Sequence, residues 1–138
     1  MHLRHNIDTK YYITQDNQKW NIQPVQQEKD LGVLTSSDLA VSYQCMEAAS
    51  KARRVLGMVR RQFKELDMQS FLIIYKSFVR PHLEYAIQAW SPYLRKDIDW
   101  LERVQRSATK MVKGFCKLSY ELRPVSYTHL TLPTIYSV

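Results

Sequence analysis

The sequence predicts a mainly α protein: a small strand-rich stub at the N-terminus, followed by an antiparallel bundle of three to four helices. Three observations carry this. Apolar residues alternate with polar ones in the first third, then recur at steps of three and four from about Ser42. The helical pattern is interrupted between Phe63 and Met68, at Arg80-Pro81 and at "SPYLRKD", which divides it into separate helices. The chain has 138 residues, of which 45% are hydrophobic, enough to bury one core. The expected organisation is a strand-rich segment over 1–41, a helical domain over 42–117, a linker over 118–124 and a tail over 125–138.

Taken in order, "YYIT" and "KWNIQ" flank the turn-prone "QDNQ". Trp20 and Ile22 alternate with Asn21 and Gln23, as on a half-buried strand. "KDLGVLTSS" is a third short apolar run, in which Gly32 allows a close backbone approach. Two or three short strands do not make a stable sheet alone, so they read as the edge of something larger. Met46, Ala49, Ala52, Leu56, Val59 and Phe63 then form the apolar face of a first helix. A second helix starts near Met68 behind Asp67, a good N-cap, with Phe71, Ile74, Phe78 and Val79 turned inward. Pro81 lacks an amide hydrogen and clashes with the turn before it. A kink or restart is expected there, with helix resuming to about Trp90. A third helix is expected from about Asp97 to Val112, with Ile98, Leu101, Val104, Ala108 and Met111 as its stripe and Gly114 as its left-handed stop.

Charge narrows the function. The net charge of +7 favours polyanionic partners, meaning nucleic acid or an anionic membrane face. Between residues 51 and 64 there are six basic residues and no acidic one: Lys51, Arg53, Arg54, Arg60, Arg61 and Lys64. On the third helix Arg103, Arg106, Lys110 and Lys113 recur at three, four and three, a basic stripe beside the apolar one. One such face is commonly just solvated. Two in one small bundle could track a phosphate backbone. Phe63, Phe71, Phe78 and Tyr85 could stack on bases, but their helical spacing with other apolar residues assigns them to the core.

Catalytic patterns are missing. There are three glycines and no Gly-rich phosphate loop, and no His or Cys pair has metal-ligand spacing. Cys45 and Cys116 are far apart and read as reduced thiols, and His82 as structural. Asp97 and Asp99 fit helix capping and the helix dipole better than Mg²⁺ binding. No Asp-Asp pair supplies two-metal polymerase chemistry. No apolar run reaches the length of a membrane helix, and "MHLRHNIDTK" lacks a signal-peptide core. An intracellular protein, cytoplasmic or nuclear, with no membrane partner is expected.

The stretches "EKDLGVLTSSDL", "ASKARRVLGMVRRQF", "YKSFVRPHLEYAIQAWSPYLRKDIDWLERVQRSATKMV" and "LSYE" closely resemble the carboxy-terminal part of the reverse transcriptase of LINE-type (non-LTR) retrotransposons, in the chicken-repeat and jockey lineage. The resemblance covers about residues 24–122 well. It covers residues 1–23 more loosely, through "MHL" and "YYI". It implies that the strands up to Val33 are the end of a palm and that Leu31, Gly32 and Val33 lie at or beside a primer grip. It further implies that the helices from Ser42 to Val112 are a thumb holding an RNA or RNA–DNA template–primer duplex. Fingers, the catalytic palm and an upstream endonuclease have no counterpart here, and no position matches a catalytic residue. The resemblance therefore implies a non-catalytic fragment with no cofactor of its own, whose parent would use Mg²⁺ through residues this chain lacks. Its partners would be the duplex and the missing fingers and palm.

The end of the chain departs from that pattern. "VSYTHLTLPT", Val125 to Thr134, back-translates to a string resembling the transposase-end adapter of tagmentation sequencing libraries. Residues 125–138 are accordingly expected to be non-native and are left out of fold reasoning. Two other readings stand beside the polymerase fragment: a domesticated nucleic-acid-binding or protein-interaction module, and an inert pseudogene-derived product.

Overall fold

"QDNQ" closes a two-residue hairpin turn between β1 (Tyr11–Gln15) and β2 (Gln18–Ile22). Asp16 and Asn17 both take left-handed backbone angles, φ 49° and 63°, which their short polar side chains tolerate and which match the twist of a hairpin. The register pairs Tyr11 with Ile22 and Ile13 with Trp20, so four apolar side chains share one face. That face was expected to be half-buried. It is open instead: every residue of both strands is exposed, Trp20 to 61%. The alternation is present, but no layer covers it among the described residues. The structure, a computed structural model, describes residues 10–115 and 117. "MHL", Cys116, the linker expected over 118–124 and the tail expected over 125–138 lie outside the described residues.

"KDLGVLTSS" folds as part of a second hairpin rather than as one strand. β3 (Gln27–Asp30) pairs antiparallel with β4 (Val33–Ser36), in a sheet separate from the first. Leu31 (φ 46°) and Gly32 (φ 86°) make its turn. β4 sits on the first helix, where the Leu34 amide donates to Gln44 Oε1 at 2.8 Å.

α1 (Ser42–Gln62) buries Cys45, Ala48, Ala49, Ala52, Leu56 and Val59. Met46 and Phe63, expected on this face, are 46% and 47% exposed. At the start of the helix the seam runs through Cys45 and Ala48, which turns Met46 outward. Phe63 is the C-cap with extended backbone (φ −118°, ψ 114°), so helical spacing no longer governs it.

The middle segment holds α2 (Met68–Ile74), a π-helical turn (Tyr75–Val79), α3 (Arg80–Glu84) and α4 (Ile87–Trp90). Asp67 caps α2 as expected, accepting from the Gln69 and Ser70 amides at 3.1 Å each. The irregularity expected at Arg80-Pro81 takes the form of the wide turn just before it, where the Arg80 amide reaches back to the Tyr75 carbonyl. Phe71, Tyr75, Val79, Leu83 and Ile87 are all buried, at strict four-residue intervals. Such a repeat drifts by about 40° per step around an α-helix, and the wide turn takes up the drift. It also gives Val79 the inward position, which leaves Phe78, expected in the core, 57% exposed.

The expected continuous helix to Trp90 breaks at Ala86, which is left-handed (φ 53°). The Tyr85 carbonyl beside the break accepts the Trp90 indole N–H at 2.8 Å. Tyr85, also expected in the core, is 57% exposed, and its hydroxyl donates to the Leu31 carbonyl at 2.8 Å. A Cβ on Gly32 would lie 3.3 Å from the Tyr85 ring, so the close approach read from the sequence is made to this side chain. His82 lies on the surface and packs no core.

α5 (Arg95–Thr109) buries Leu101, Val104 and Ala108 as expected, with Ile98 partly covered; the helix expected to reach Val112 ends at its C-cap Lys110, so Met111 packs from the turn beyond it and Gly114, although left-handed, is not its stop. Asp97 does not cap it. The N-cap is Leu94, and Asp97 stands in the first turn, 1% exposed, accepting a 2.7 Å hydrogen bond from Ser42 Oγ at the start of α1. At the far ends Leu66 and Val112 form a parallel bridge, and Lys113 Nζ meets Glu65 Oε2 at 2.8 Å. Starts meet starts and ends meet ends, so α1 and α5 run side by side in the same direction. The mainly α class with N-terminal hairpins holds. The antiparallel order does not hold for this outer pair, because the middle segment returns the chain before α5 begins.

Two outcomes follow for stability. Leu101→Ala is expected to cost about 2–5 kcal/mol in urea unfolding, whereas Phe78→Ala should stay within about 0.5 kcal/mol. Burial, and then the Asp97 charge, push the Cys45 thiol up from its ordinary 9.0 to about 12. A group raised on folding stabilises the fold below its unfolded value and loses that contribution as pH rises toward the folded one. The urea midpoint should therefore fall more steeply above about pH 9 in the wild type than in Cys45→Ala, and parallel pH profiles would refute it.

Candidate nucleic-acid interface

On α1, Arg53, Gly57 and Arg60 follow one another at four and three, a stripe to one side of the buried seam, and Lys64 follows just past the helix end. On α5, Arg103, Ser107 and Lys110 follow at four and three, next to Trp100 and Met111. Because the two helices are parallel and packed together, the stripes face a common groove. One stretch of it is lined by Arg53, Leu56, Gly57, Arg60, Ser107 and Met111. The next is lined by Arg60, Phe63, Lys64, Ser107, Lys110 and Met111. Arg60, Ser107 and Met111 belong to both stretches, so the groove is continuous.

Trp100 stands beside Arg53 at the end of the groove nearer the start of α1. The Arg53 guanidinium carbon lies 5.1 Å from its ring centroid and that of Arg103 lies 5.6 Å away. Both are within cation–π range. One ring thus orients one arginine from each helix, and each keeps its in-plane N–H donors for another acceptor.

The ten basic residues named from the sequence divide. Arg53, Arg60, Lys64 and Lys110 line the groove and Arg103 stands beside it over Trp100, and among the described residues none of the five has a carboxylate within 4.0 Å. Arg54 and Arg61 fall on the outer side of α1, where Arg61 Nε donates to the Gly57 carbonyl at 3.3 Å. Three others are paired: Lys51 with Glu47 at 3.4 Å, Arg106 with Glu102 at 2.9 Å and Lys113 with Glu65. The single stripe expected on α5 is therefore two sets. Lys113 lies past the helix end, and Arg106 reaches back one turn to an acidic partner.

Leu31, Gly32 and Val33 lie elsewhere. The structure docks their turn on Tyr85 of the middle segment, with Val33 against the core and Leu31 85% exposed. Phe63, assigned to the core from the sequence, instead lines the groove.

Trp100, Gly57 and Ser107 are not among the site residues expected from the sequence, yet two of them left a trace in it. Gly57 is the centre of the near-symmetric "RRVLGMVRR", and Trp100 falls three residues before Arg103 at the margin of the apolar stripe. Among the described residues no group of His, Cys, Asp and Glu could hold a metal ion, and no helix is long and apolar enough to cross a membrane.

A double-mutant cycle of Arg103→Ala and Trp100→Leu in urea unfolding is expected to show a coupling of about 0.5–1 kcal/mol. Strict additivity would mean that the ring does not hold the arginine. No protein-family model, no curated protein and no solved structure matches the chain.

Proposed function

We propose that this chain is a non-catalytic, thumb-like part of a LINE-type reverse transcriptase, and that the groove between α1 and α5 grips the phosphate backbone of an RNA–DNA template–primer duplex. The observation that carries the reading is the meeting of Arg53, Arg60, Lys64 and Lys110 along one groove, with Arg103 beside it over Trp100, none of them with a carboxylate partner among the described residues. A protein gains little from holding like charges together in its native state. A polyanion that displaces its own counterions turns the same arrangement into binding energy. The arginines offer paired donors to phosphate oxygens and the lysines act as point charges. No side chain of the groove has to read a base edge, so binding would follow backbone and shape rather than sequence. Phe63, exposed beside Lys64, offers an aromatic face to that duplex.

The open apolar face of the β1–β2 hairpin supports the fragment part of the proposal. Tyr11, Ile13, Trp20 and Ile22 form a surface of the kind that a larger sheet or palm covers. The same face also favours a second reading, a protein-interaction module, in which another partner covers it. On the first reading the exposed Leu31 turn is the primer-grip-like element, and polymerisation with its Mg²⁺ belongs to parts of the parent beyond these residues.

The test compares two triple variants of equal charge change. Arg53, Arg60 and Lys110 are replaced by Glu in one; Lys51, Arg54 and Arg106 are replaced by Glu in the other. Affinity for a short RNA–DNA hybrid is followed by fluorescence anisotropy across a salt series. The groove variant should bind at least about tenfold more weakly, with a salt slope shallower by about 0.7–0.9 for each phosphate that it no longer neutralises. The outer variant should be weakened much less. Equal weakening would mean that net charge alone, and not the groove, governs binding.

A further inference from the structure

We infer that Gly57 is the floor of a seat for one phosphodiester strand, walled by Arg53 and Arg60 on α1 and by Ser107 on α5. The inference rests on the nucleic-acid reading above and narrows it to one place. Gly57 stands inside a 21-residue helix, where glycine is the least favourable residue after proline. Nothing among the described residues requires it there. Its backbone is right-handed helical, and a Cβ added to it would meet no atom of the described residues within 4 Å. Gly32 makes the contrast, since its missing side chain admits the Tyr85 ring and its φ is positive.

The space that the missing Gly57 side chain leaves opens into the groove, in the stretch lined by Arg53, Arg60 and Ser107. A ligand there can lie against the helix backbone within reach of two guanidinium groups and a hydroxyl. The Gly57 carbonyl, which would repel an anion, already accepts a hydrogen bond from the cationic Arg61 side chain. Trp100 fixes Arg53 at the entrance, and Lys64 and Lys110 continue the line of charge beyond Arg60. A thin, continuous polyanion fits this row better than an acidic protein surface, whose carboxylates stand on bulky side chains at irregular intervals.

The experiment uses the full chain with Gly57→Ala and Gly57→Leu, two residues of high helix propensity. Thermal unfolding and binding of a short RNA–DNA hybrid are measured for each. The unfolding midpoint should rise by a few degrees. Affinity for the hybrid should nevertheless fall, modestly for Ala and by about tenfold for Leu, as charged hydrogen bonds to the strand are broken. Weaker binding by a more stable protein is a combination that a purely structural role for Gly57 does not produce. Should Gly57→Leu not fold, Gly57→Ala decides the matter alone.

Unchanged or tighter binding by the stabilised variants would overturn the seat. The wider groove reading would survive if the charge-reversed groove variant still bound weakly. Absence of hybrid binding by the wild type would overturn both. Poly-glutamate peptide and phosphatidylserine vesicles serve as control probes. Tighter wild-type binding to either than to the hybrid, weakened by Gly57→Leu, would assign the seat to an acidic protein or a membrane surface and overturn the strand.

Discussion

The arrangement depends on α1 and α5 lying parallel and in fixed register. Cys45, Ala48, Ala49 and Ala52 give the start of α1 a buried face of small side chains that lets another helix come close. The Ser42–Asp97 hydrogen bond then sets the register at one end. A carboxylate that is 1% exposed is costly unless it is hydrogen-bonded, so Asp97 penalises any slippage that parts it from Ser42. The Leu66–Val112 bridge sets the other end. With both ends fixed, Arg53 falls opposite Trp100, and Arg60 falls opposite Ser107. Antiparallel packing of the same helices would place the Lys64 end of α1 beside Asp97 and scatter the cations.

Much of this was legible in the sequence, and what was not has definite causes. The period change at Ser42, the Asp67 cap, the buried stripe of Leu101, Val104 and Ala108, and the Gly32 close approach all follow from local chemistry. The inner face of the middle segment did not. Tyr75 follows Phe71 inward by ordinary four-residue spacing, and the π-helical turn after it rotates the later side chains relative to a regular helix, which moved Phe78 outward and kept Val79 in. Phe63 and Tyr85 failed for a related reason, since each sits where helical geometry stops. Relative helix direction was illegible as well, because it depends on where the middle segment delivers the chain and not on the stripe of either helix.

The candidate site shows the same division. Which residues are basic can be read directly. Which basic residues are neutralised depends on partners one turn away, as for Arg106 with Glu102, or 48 positions away, as for Lys113 with Glu65. Three of the ten candidates left the set through such pairs, and Arg54 and Arg61 through their place on the outer side of α1. Trp100 entered because one ring on α5 meets an arginine from each helix, a contact between residues 47 positions apart that no local pattern encodes.

Three features of this chain run against the fold's own stability, and all three lie on its surface. Gly57 weakens the longest helix, the groove collects like charges, and the β1–β2 hairpin turns Tyr11, Ile13, Trp20 and Ile22 to solvent. Local choices that conflict with folding are expected where a surface serves something other than folding. The first two coincide in space, so a single anionic ligand would relieve both. The third is apolar and calls for a different kind of contact. A two-stranded hairpin is marginal by itself, and covering its apolar face would stabilise it through hydrophobic burial. On the proposed function, one surface would take a polyanion and the other a protein layer, which would make these residues a connecting part of a nucleic-acid-handling assembly.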